Sequence, residues 1–516
     1  MENSVHLALQ AWPVAAVRAA EDRLLACSSE GALMARAAHG LAHHCAALLD
    51  DRGRRRYGNR VVVLAGRGSN GGDALHAGAL LARRGAAVTA VLAAADPGAV
   101  HQPGLAALRA AGGSVVCAGE KIMATPLAAA ELIVDGLVGI GGRGALRAPA
   151  AELARQACTA RGHGTLVVAA DLPSGVDADT GDVADPGHSI FADLTVTFGC
   201  LKPGLLLAPG AHHAGQLRVV DIGLSPALLS GAPPVLRATS DADVTESWPR
   251  RGVETDKYQR GVLGLAAGSQ TYPGAALLAA GGALAGPIGM LRCVGEAARG
   301  VIERYPEAVP AADVITAGRV QAWVVGPGLG TDEQAKRTLE AVLDAGVPAV
   351  IDGDAITLLA QLSARGLKKF IAPVVLTPHR REFARLVAAC GISTGQESSL
   401  ATARRVAIHL GATVLLKGSR TLIVTPGHLS RVNLTGTSVL ATAGSGDVLA
   451  GLLGSLLAAG MSTHNAAAVA AHVHGSAGRQ VATVGTVTAS ALVMRLPRTV
   501  AELTCHERDT TAGFDS

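Results

Sequence analysis

The sequence predicts an α/β protein of two domains, each a three-layer sandwich of helices around a mostly parallel sheet, the first of them Rossmann-like. Three observations predict it. The chain has 516 residues, more than one hydrophobic core usually supports. Apolar, strand-like runs that end in glycine and lead into helical patterns recur along its length, the alternation that builds parallel sheets. A stretch of about twenty residues near the middle, 226–245, carries prolines and no long periodic run, so it reads as a linker.

The first-half runs are "RVVVLAGRG", "AAVTAVLAA", "ELIVDGLVG", "TLVVAADLPSG" and "LTVTFG", which place one domain over residues 1–225. The second-half runs are "GVLGLAAGS", "AWVVGPGLG", "PAVIDGD", "PVVLTPH" and "ATVLLKGS", giving a second domain over 246–505 and a polar tail, 506–516. "GAALLAAGGALAGPIGML" and "DVLAGLLGSLLAAGM" are apolar enough to suggest a membrane. Their Gly and Ala content, the proline in the first and the shortness of the second make them buried helices instead.

Hydrophobic residues make up 49% and charged residues 17%, which suits large cores and excludes a disordered interaction protein. Aromatics are only 2%, too few to build stacking platforms for single-stranded nucleic acid, and a net charge of +4 is too slight to draw a polyanion. No nucleic-acid or membrane partner is expected. Eight cysteines are scattered without Cys-x-x-Cys pairs and read as reduced, mostly buried thiols. No signal peptide is evident in the first residues, so the cytoplasm is the expected compartment. His39 and His43 are four apart on a helical pattern but lack the Glu and third ligand of a zinc site.

Several glycine loops carry chemistry. Gly66, Gly68 and Gly71 form a G-x-G-x-x-G after a strand, yet only Asp96, late, stands where a ribose-binding acid belongs. The continuation Asn70-Gly71-Gly72-Asp73 frames two glycines between an amide and a carboxylate, suited to a phosphate or ribose held against backbone, or to a simple turn. Asp135, Asp171 and Ser174 lie at other strand ends, where open parallel sheets bind ligands. Asn70, Asp135 and Ser174 are all oxygen donors and suit a hard cation such as K⁺ or Mg²⁺, which leaves Asp171 for proton transfer. In the second half, "TAGSGDVLAG" sets Asp447 after Gly444, Ser445 and Gly446 at the start of an apolar helix. That is an anion-binding position, or else an N-cap.

"SNGGDA", "VDGLVGIGGRG" and "DLPSGVDADTG", in this order, resemble the N-terminal domain of the YjeF family, the NAD(P)H-hydrate epimerases. By that resemblance Asn70, Asp135 and Ser174 hold K⁺. Asn70, Gly71, Gly72, Asp73, the loop Gly139, Ile140, Gly141, Gly142 and Arg143, and Asp171 bind the hydrated nucleotide. Ser69 and Ala74 stand where the family usually has Asn and Gly. "DKYQRG", "GSQTYPGAALLAA", "GPGLG", "IDGDAI", "LTPHRREFARL", "LKGSRTLI" and "ATAGSGDVLAG" resemble the C-terminal YjeF domain, the ribokinase-like, ADP- or ATP-dependent NAD(P)H-hydrate dehydratase. It implies Asp447 as the catalytic carboxylate and Gly444, Ser445 and Gly446 as an anion hole. Lys417, Gly418, Ser419 and Thr421 would grip the nucleotide, which enters with Mg²⁺. Ala275, Gly328, Gly330 and His379 would line the hydrate pocket, though His379 alone reads as a capping or core histidine. Gly353 replaces the usual Ala between two acids.

The implied function is repair of nicotinamide nucleotides by a homo-oligomeric enzyme: epimerisation of R and S hydrates, and dehydration of the S form. Two alternatives stay open, a ribokinase-like vitamin-precursor kinase, and an N-terminal domain that only binds.

Overall fold

The computed structural model describes residues 9–54, 57–118, 124–225, 229, 231–250, 255–364, 366, 369–395 and 397–504. The expected tail, 506–516, lies outside them, as does part of the expected linker. The chain divides into two compact units at Leu236 and Arg237. Residues 236–238 form a short strand, and Asp241–Ser247 a helix closed by a capping box between Ser240 and Asp243. The prolines upstream conceal this order, although Ser-x-x-Asp is itself a helix-start signal.

In the first unit, seven strands run β1 Arg60–Ala65, β2 Ala87–Leu92, β3 Ser114–Cys117, β4 Leu132–Gly136, β5 Leu166–Ala170, β6 Leu194–Phe198 and β7 Gln216–Val220. All pairings are parallel and the order is β3-β2-β1-β4-β5-β6-β7. Strand order reverses between β1 and β4, so a crevice opens at their carboxyl ends. Val61, Val63 and Ala65 point into one core, with α1 Val14–Ala26, α2 Ala32–Asp51, α3 Ser69–Arg83 and α4 Gln102–Ala110. Val62 and Leu64 point into the other, with α5 Ala150–Gly162. Continuous Val and Leu runs are what a strand needs when helices cover both faces.

The second unit's sheet includes β8 Val262–Ala266, β9 Met290–Val294, β10 Val309–Ala311, β11 Ala322–Val325, β12 Ala349–Ile351, β13 Val374–Leu376, β14 Thr413–Leu416, β15 Thr421–Val424 and β16 Ser430–Asn433. These lie in the order β16-β15-β14-β13-β12-β11-β8-β9-β10, parallel except for the antiparallel β14-β15-β16 meander. The first apolar stretch is helix only as far as Leu284, as α6 Pro273–Leu284; its last residues, Met290 and Leu291, begin β9, because Gly286 and Pro287 end the helix. The second becomes helix α9 Ser445–Ala458, which follows α7 Glu333–Asp344 and α8 Arg380–Ala389. Glycines let the two helices touch closely: a Cβ on Gly451 would meet the Ala279 carbonyl, and one on Gly282 the Val448 carbonyl. Among the described residues no helix is long and apolar enough to cross a membrane.

All seven described cysteines are free thiols. Among the described cysteines only Cys45, Cys200 and Cys293 are buried, fewer than expected: Cys27 and Cys390 are helix C-caps, Cys117 ends an edge strand, and Cys158 is half-buried within α5.

Two candidate active sites

The first unit holds a cavity of about 580 Å³ above the carboxyl ends of β1, β4, β5 and β6. Ser69-Asn70-Gly71-Gly72-Asp73 is the first turn of α3, with Gly68 at its N-cap. Ser69, Asn70 and Asp73 line the cavity, and Gly71 and Gly72 do not. Their role is close packing: a Cβ on Gly71 would meet the Gly66 carbonyl, and one on Gly72 the His101 ring. Ala74 fits in place of glycine because its Cβ faces Gly136 across β4. Gly139, Ile140, Gly141, Gly142 and Arg143 line the cavity as well, and a Cβ on Gly139 would stand 3.2 Å from the Asn70 side chain. Asp96 faces no ligand; it caps a turn by accepting from the Gly98 amide at 2.8 Å.

Asn70 is only 7% exposed, and neither its Oδ1 nor its Nδ2 has a hydrogen-bond partner. Leaving such a group unmade costs about 1–3 kcal/mol, so the position points to a ligand. Asp135 and Ser174 are tied together below the cavity. Asp135 Oδ1 accepts from Ser174 Oγ at 2.7 Å and from the Leu137 amide at 3.1 Å, and Oδ2 from the Ser174 amide at 2.9 Å. Burial pushes the Asp135 carboxyl up to about 6, and the hydrogen bonds from Ser174 and Leu137 hold it from rising further. Asp135 and Ser174 are outside the cavity lining, and with Asn70 they offer oxygen donors of the type that suits a hard cation. Among the described residues no cluster of His, Cys, Asp or Glu could hold a metal, His39 and His43 included.

Asp171 lines the same cavity with a backbone φ of +62°, the one described non-glycine residue in the left-handed region. Such a conformation costs about 1–3 kcal/mol and persists only where surroundings enforce it. Here the Asp171 amide bonds the Val196 carbonyl at 2.8 Å, and Lys202, a residue the sequence reading missed, holds the side chain with its Nζ 2.5 Å from Asp171 Oδ1. Burial works hardest against the Lys202 ammonium, but the charge and hydrogen bond of Asp171, with Cys200 and Glu21, together raise it. Glu21 of α1, also missed, lines the cavity too. Burial and the charges of Asp171 and Glu21 push Asp73 well above the carboxylate range.

The second unit's cavity, also about 580 Å³, lies over the start of α9 and the ends of β12, β13 and β14. Gly444 is the N-cap at φ +83°, so Asp447 is the third helical residue and not the cap. Gly446 and Asp447 thus belong to the turn whose amides lack intrahelical acceptors. Burial and then Asp352 push Asp447 up to about 7, with Lys417 opposing them. Lys417 bonds Asp352 Oδ1 at 2.7 Å, and Thr377 Oγ1 donates to the same oxygen at 2.7 Å. A Cβ on Gly446 would stand 3.2 Å from the Lys417 ammonium, so glycine keeps that approach open.

Gly418, Ser419, Thr421, Ser445, Gly446 and His379 join Asp447 and Lys417 in the lining, and Gly444 does not. His379 is both things expected of it: it lines the cavity and caps α8, its Nδ1 accepting from the Arg381 and Glu382 amides. Ala275, Gly328 and Gly330 stay outside the lining. They form a neighbouring patch in which Gly330 donates to Asp354 Oδ2 at 2.8 Å and a Cβ on Gly328 would meet Ala275. Glu382, Asn433 and His474 were missed. His474, which burial holds down at about 4, is neutral and lies 3.3 Å from Ser445 Oγ. Glu382 carries a local signal, three residues after His379 in a capping box, whereas Asn433 and His474 are brought in by tertiary packing.

Residues 30–204 match the family described as YjeF-related protein N-terminus, and residues 263–498 the family described as NAD(P)H-hydrate dehydratase. The bifunctional NAD(P)H-hydrate repair enzyme Nnr of Mycobacterium leprae is 46% identical over 466 residues, covering 90% of this chain and 93% of its own. That of Mycobacterium tuberculosis H37Rv is 44% identical over 461 residues, covering 89% and 91%. That of Salinibacter ruber is 34% identical over 499 residues, covering 89% and 90%. With two acid sites in two α/β units and likeness spanning both, the chain belongs to the family of bifunctional NAD(P)H-hydrate repair enzymes.

Proposed function

We propose that the chain restores hydrated nicotinamide nucleotides, its first unit interconverting R and S hydrates and its second dehydrating the S form with ADP or ATP. The observation that carries this reading is the setting of Asp447: a carboxyl on the first turn of a helix, lining one cavity with Lys417 and raised by burial to about 7. Asp447 takes the proton of the hydrate's ring hydroxyl as that oxygen attacks the terminal phosphorus of the nucleotide. Lys417 and the first-turn amides stabilise the charge gathering on the phosphoryl oxygens. Loss of phosphate and of the neighbouring ring proton then re-forms the double bond. Asp352, which lines the cavity beside Lys417, would offer a carboxylate oxygen to Mg²⁺ arriving with the nucleotide, and the ion would neutralise phosphate charge.

In the first unit, Asn70, Asp135 and Ser174 would hold K⁺, which supplies a fixed positive charge at the cavity floor. Asp171 would take the proton of the ring hydroxyl as the hemiaminal carbon–nitrogen bond opens to an aldehyde, and return it when the ring nitrogen closes on the other face. A mixed hydrate pool with either nucleotide tests the whole reading, with reduced cofactor followed at its near-ultraviolet band and both isomers by chromatography. Full consumption of both isomers is expected. A stable phosphorylated alcohol would make the second unit a kinase, and consumption of S alone at the catalysed rate would make the first unit a binding module.

A further inference from the structure

Lys202 follows β6 and is 0% exposed, so its ammonium does not line the cavity above Asp171. A lysine charge buried this completely is tolerated only if every proton is used. All three are: Nζ donates to Asp171 Oδ1 at 2.5 Å, to Thr197 Oγ1 at 3.0 Å and to the Phe198 carbonyl at 2.9 Å. Asp171 Oδ1 also accepts from Thr197 Oγ1 at 3.0 Å and from the Phe198 amide at 3.1 Å. The three scaffold bonds to this carboxylate therefore converge on one oxygen. Its backbone is held as firmly, at φ +62° with the Asp171 amide on the Val196 carbonyl at 2.8 Å.

We infer that Lys202 is a positioning residue that pins Oδ1 of Asp171 to the end of β6 and so commits Oδ2 to the substrate as the proton-exchanging oxygen. The inference rests on the epimerase reading of the first cavity. A carboxylate with both oxygens free turns about its last torsion and is misaligned part of the time. One held at Oδ1 presents the other oxygen in a fixed direction, the preorganisation on which proton transfer to a bound hydroxyl depends. Because Lys202 never reaches the cavity, its loss should not change how the hydrate binds.

The test uses the full chain with Lys202→Met, which keeps the length of the side chain and removes the charge. The expected result is a fall of about 10²-fold in kcat for conversion of R hydrate, the scale of a misplaced reacting group, with KM for the hydrate nearly unchanged. Dehydration of purified S hydrate should match the parent. Thr197→Val, which leaves the charge pair and removes one donor to Oδ1, should lower kcat less, again at unchanged KM, and it decides the matter if Lys202→Met does not fold. An ion pair that serves only the fold predicts parental kcat and KM once rates are referred to the folded fraction measured by circular dichroism, and that result overturns the inference. Asp171→Ala separates the two levels. If it too turns over R hydrate at the parental rate, the epimerase reading itself fails, whereas an inactive Asp171→Ala beside a fully active Lys202→Met and Thr197→Val removes the pinning role alone.

Discussion

Each unit pairs one lysine with one aspartate beneath a cavity of about 580 Å³, yet the two pairs stand in opposite relations to the chemistry. In the first, Lys202 is sealed away and bonds Asp171, the acid that lines the cavity. In the second, Lys417 itself lines the cavity and bonds Asp352, while Asp447, the acid over the helix start, takes no direct bond from it. The second arrangement leaves a cation available to phosphate and lets burial carry Asp447 up to about 7. A phosphoryl-transfer site needs both, a positive charge for the transferring group and a carboxyl near neutrality to take a hydroxyl proton. The first site transfers no phosphoryl group, so its lysine is free to be walled in.

The largest effect that could break this contrast is at Asp447. Asp447→Asn keeps the shape and removes the proton acceptor, so nucleotide-dependent dehydration should fall by about 10²- to 10⁴-fold with nucleotide binding retained. A steady-state assay on S hydrate checks it, and a rate within threefold of the parent would return Asp447 to a mere first-turn acid. Asp171→Ala comes next, with an expected loss of about 10²-fold in the fast phase of R-hydrate consumption. Dehydration of S hydrate should be untouched because the two sites share no residue.

The contrast also shows what a sequence can carry. Strands such as β1 and β5 were legible because they are buried on both faces and therefore read as unbroken Val and Leu runs. The edge strand β7, "QLRVV", and the β15 and β16 ribbon were not, since half-exposed or antiparallel strands mix polar residues into short runs. Asn70, Asp135, Asp171, Ser174 and Asp447 were legible because glycines mark backbone that a ligand or helix approaches closely. Lys202 was not. Nothing in "GCLKPG" distinguishes a buried ammonium from an exposed one, and only the return of the chain from β6 toward β5 brings it under Asp171.

Two further tests sharpen the comparison from the nucleotide side. Lys417→Ala removes a charged hydrogen bond, about 1.5–3 kcal/mol, so nucleotide Kd should rise by roughly 10- to 100-fold in a calorimetric titration. The same change at an enclosed lysine would leave ligand affinity alone. The dehydratase should also depend on pH in a defined direction. Asp447 must be deprotonated to act, and its carboxyl is raised to about 7, so kcat/KM should be full above that value and fall toward tenfold per unit below it. A profile flat from pH 8 to 6 would contradict Asp447 as the base.

The smallest effect expected concerns the cation and needs no turnover to measure. Asn70 offers a buried amide with no partner, and Asp135 and Ser174 lie at the same strand ends, so a cation held there binds the folded unit and not the unfolded chain. Ligand at tenfold its Kd then stabilises by about 1.4 kcal/mol, which for a domain of this size raises Tm by roughly 3–6 °C. The first unit's unfolding transition should therefore move up as K⁺ replaces a large organic cation at constant ionic strength. In Asn70→Ala the shift should vanish, while the Tm without K⁺ should stay close to the parent's, since the lost amide made no bond. No K⁺ response in the parent would leave the orphaned amide to the hydrated nucleotide, and an equal response in Asn70→Ala would move the cation elsewhere on the chain.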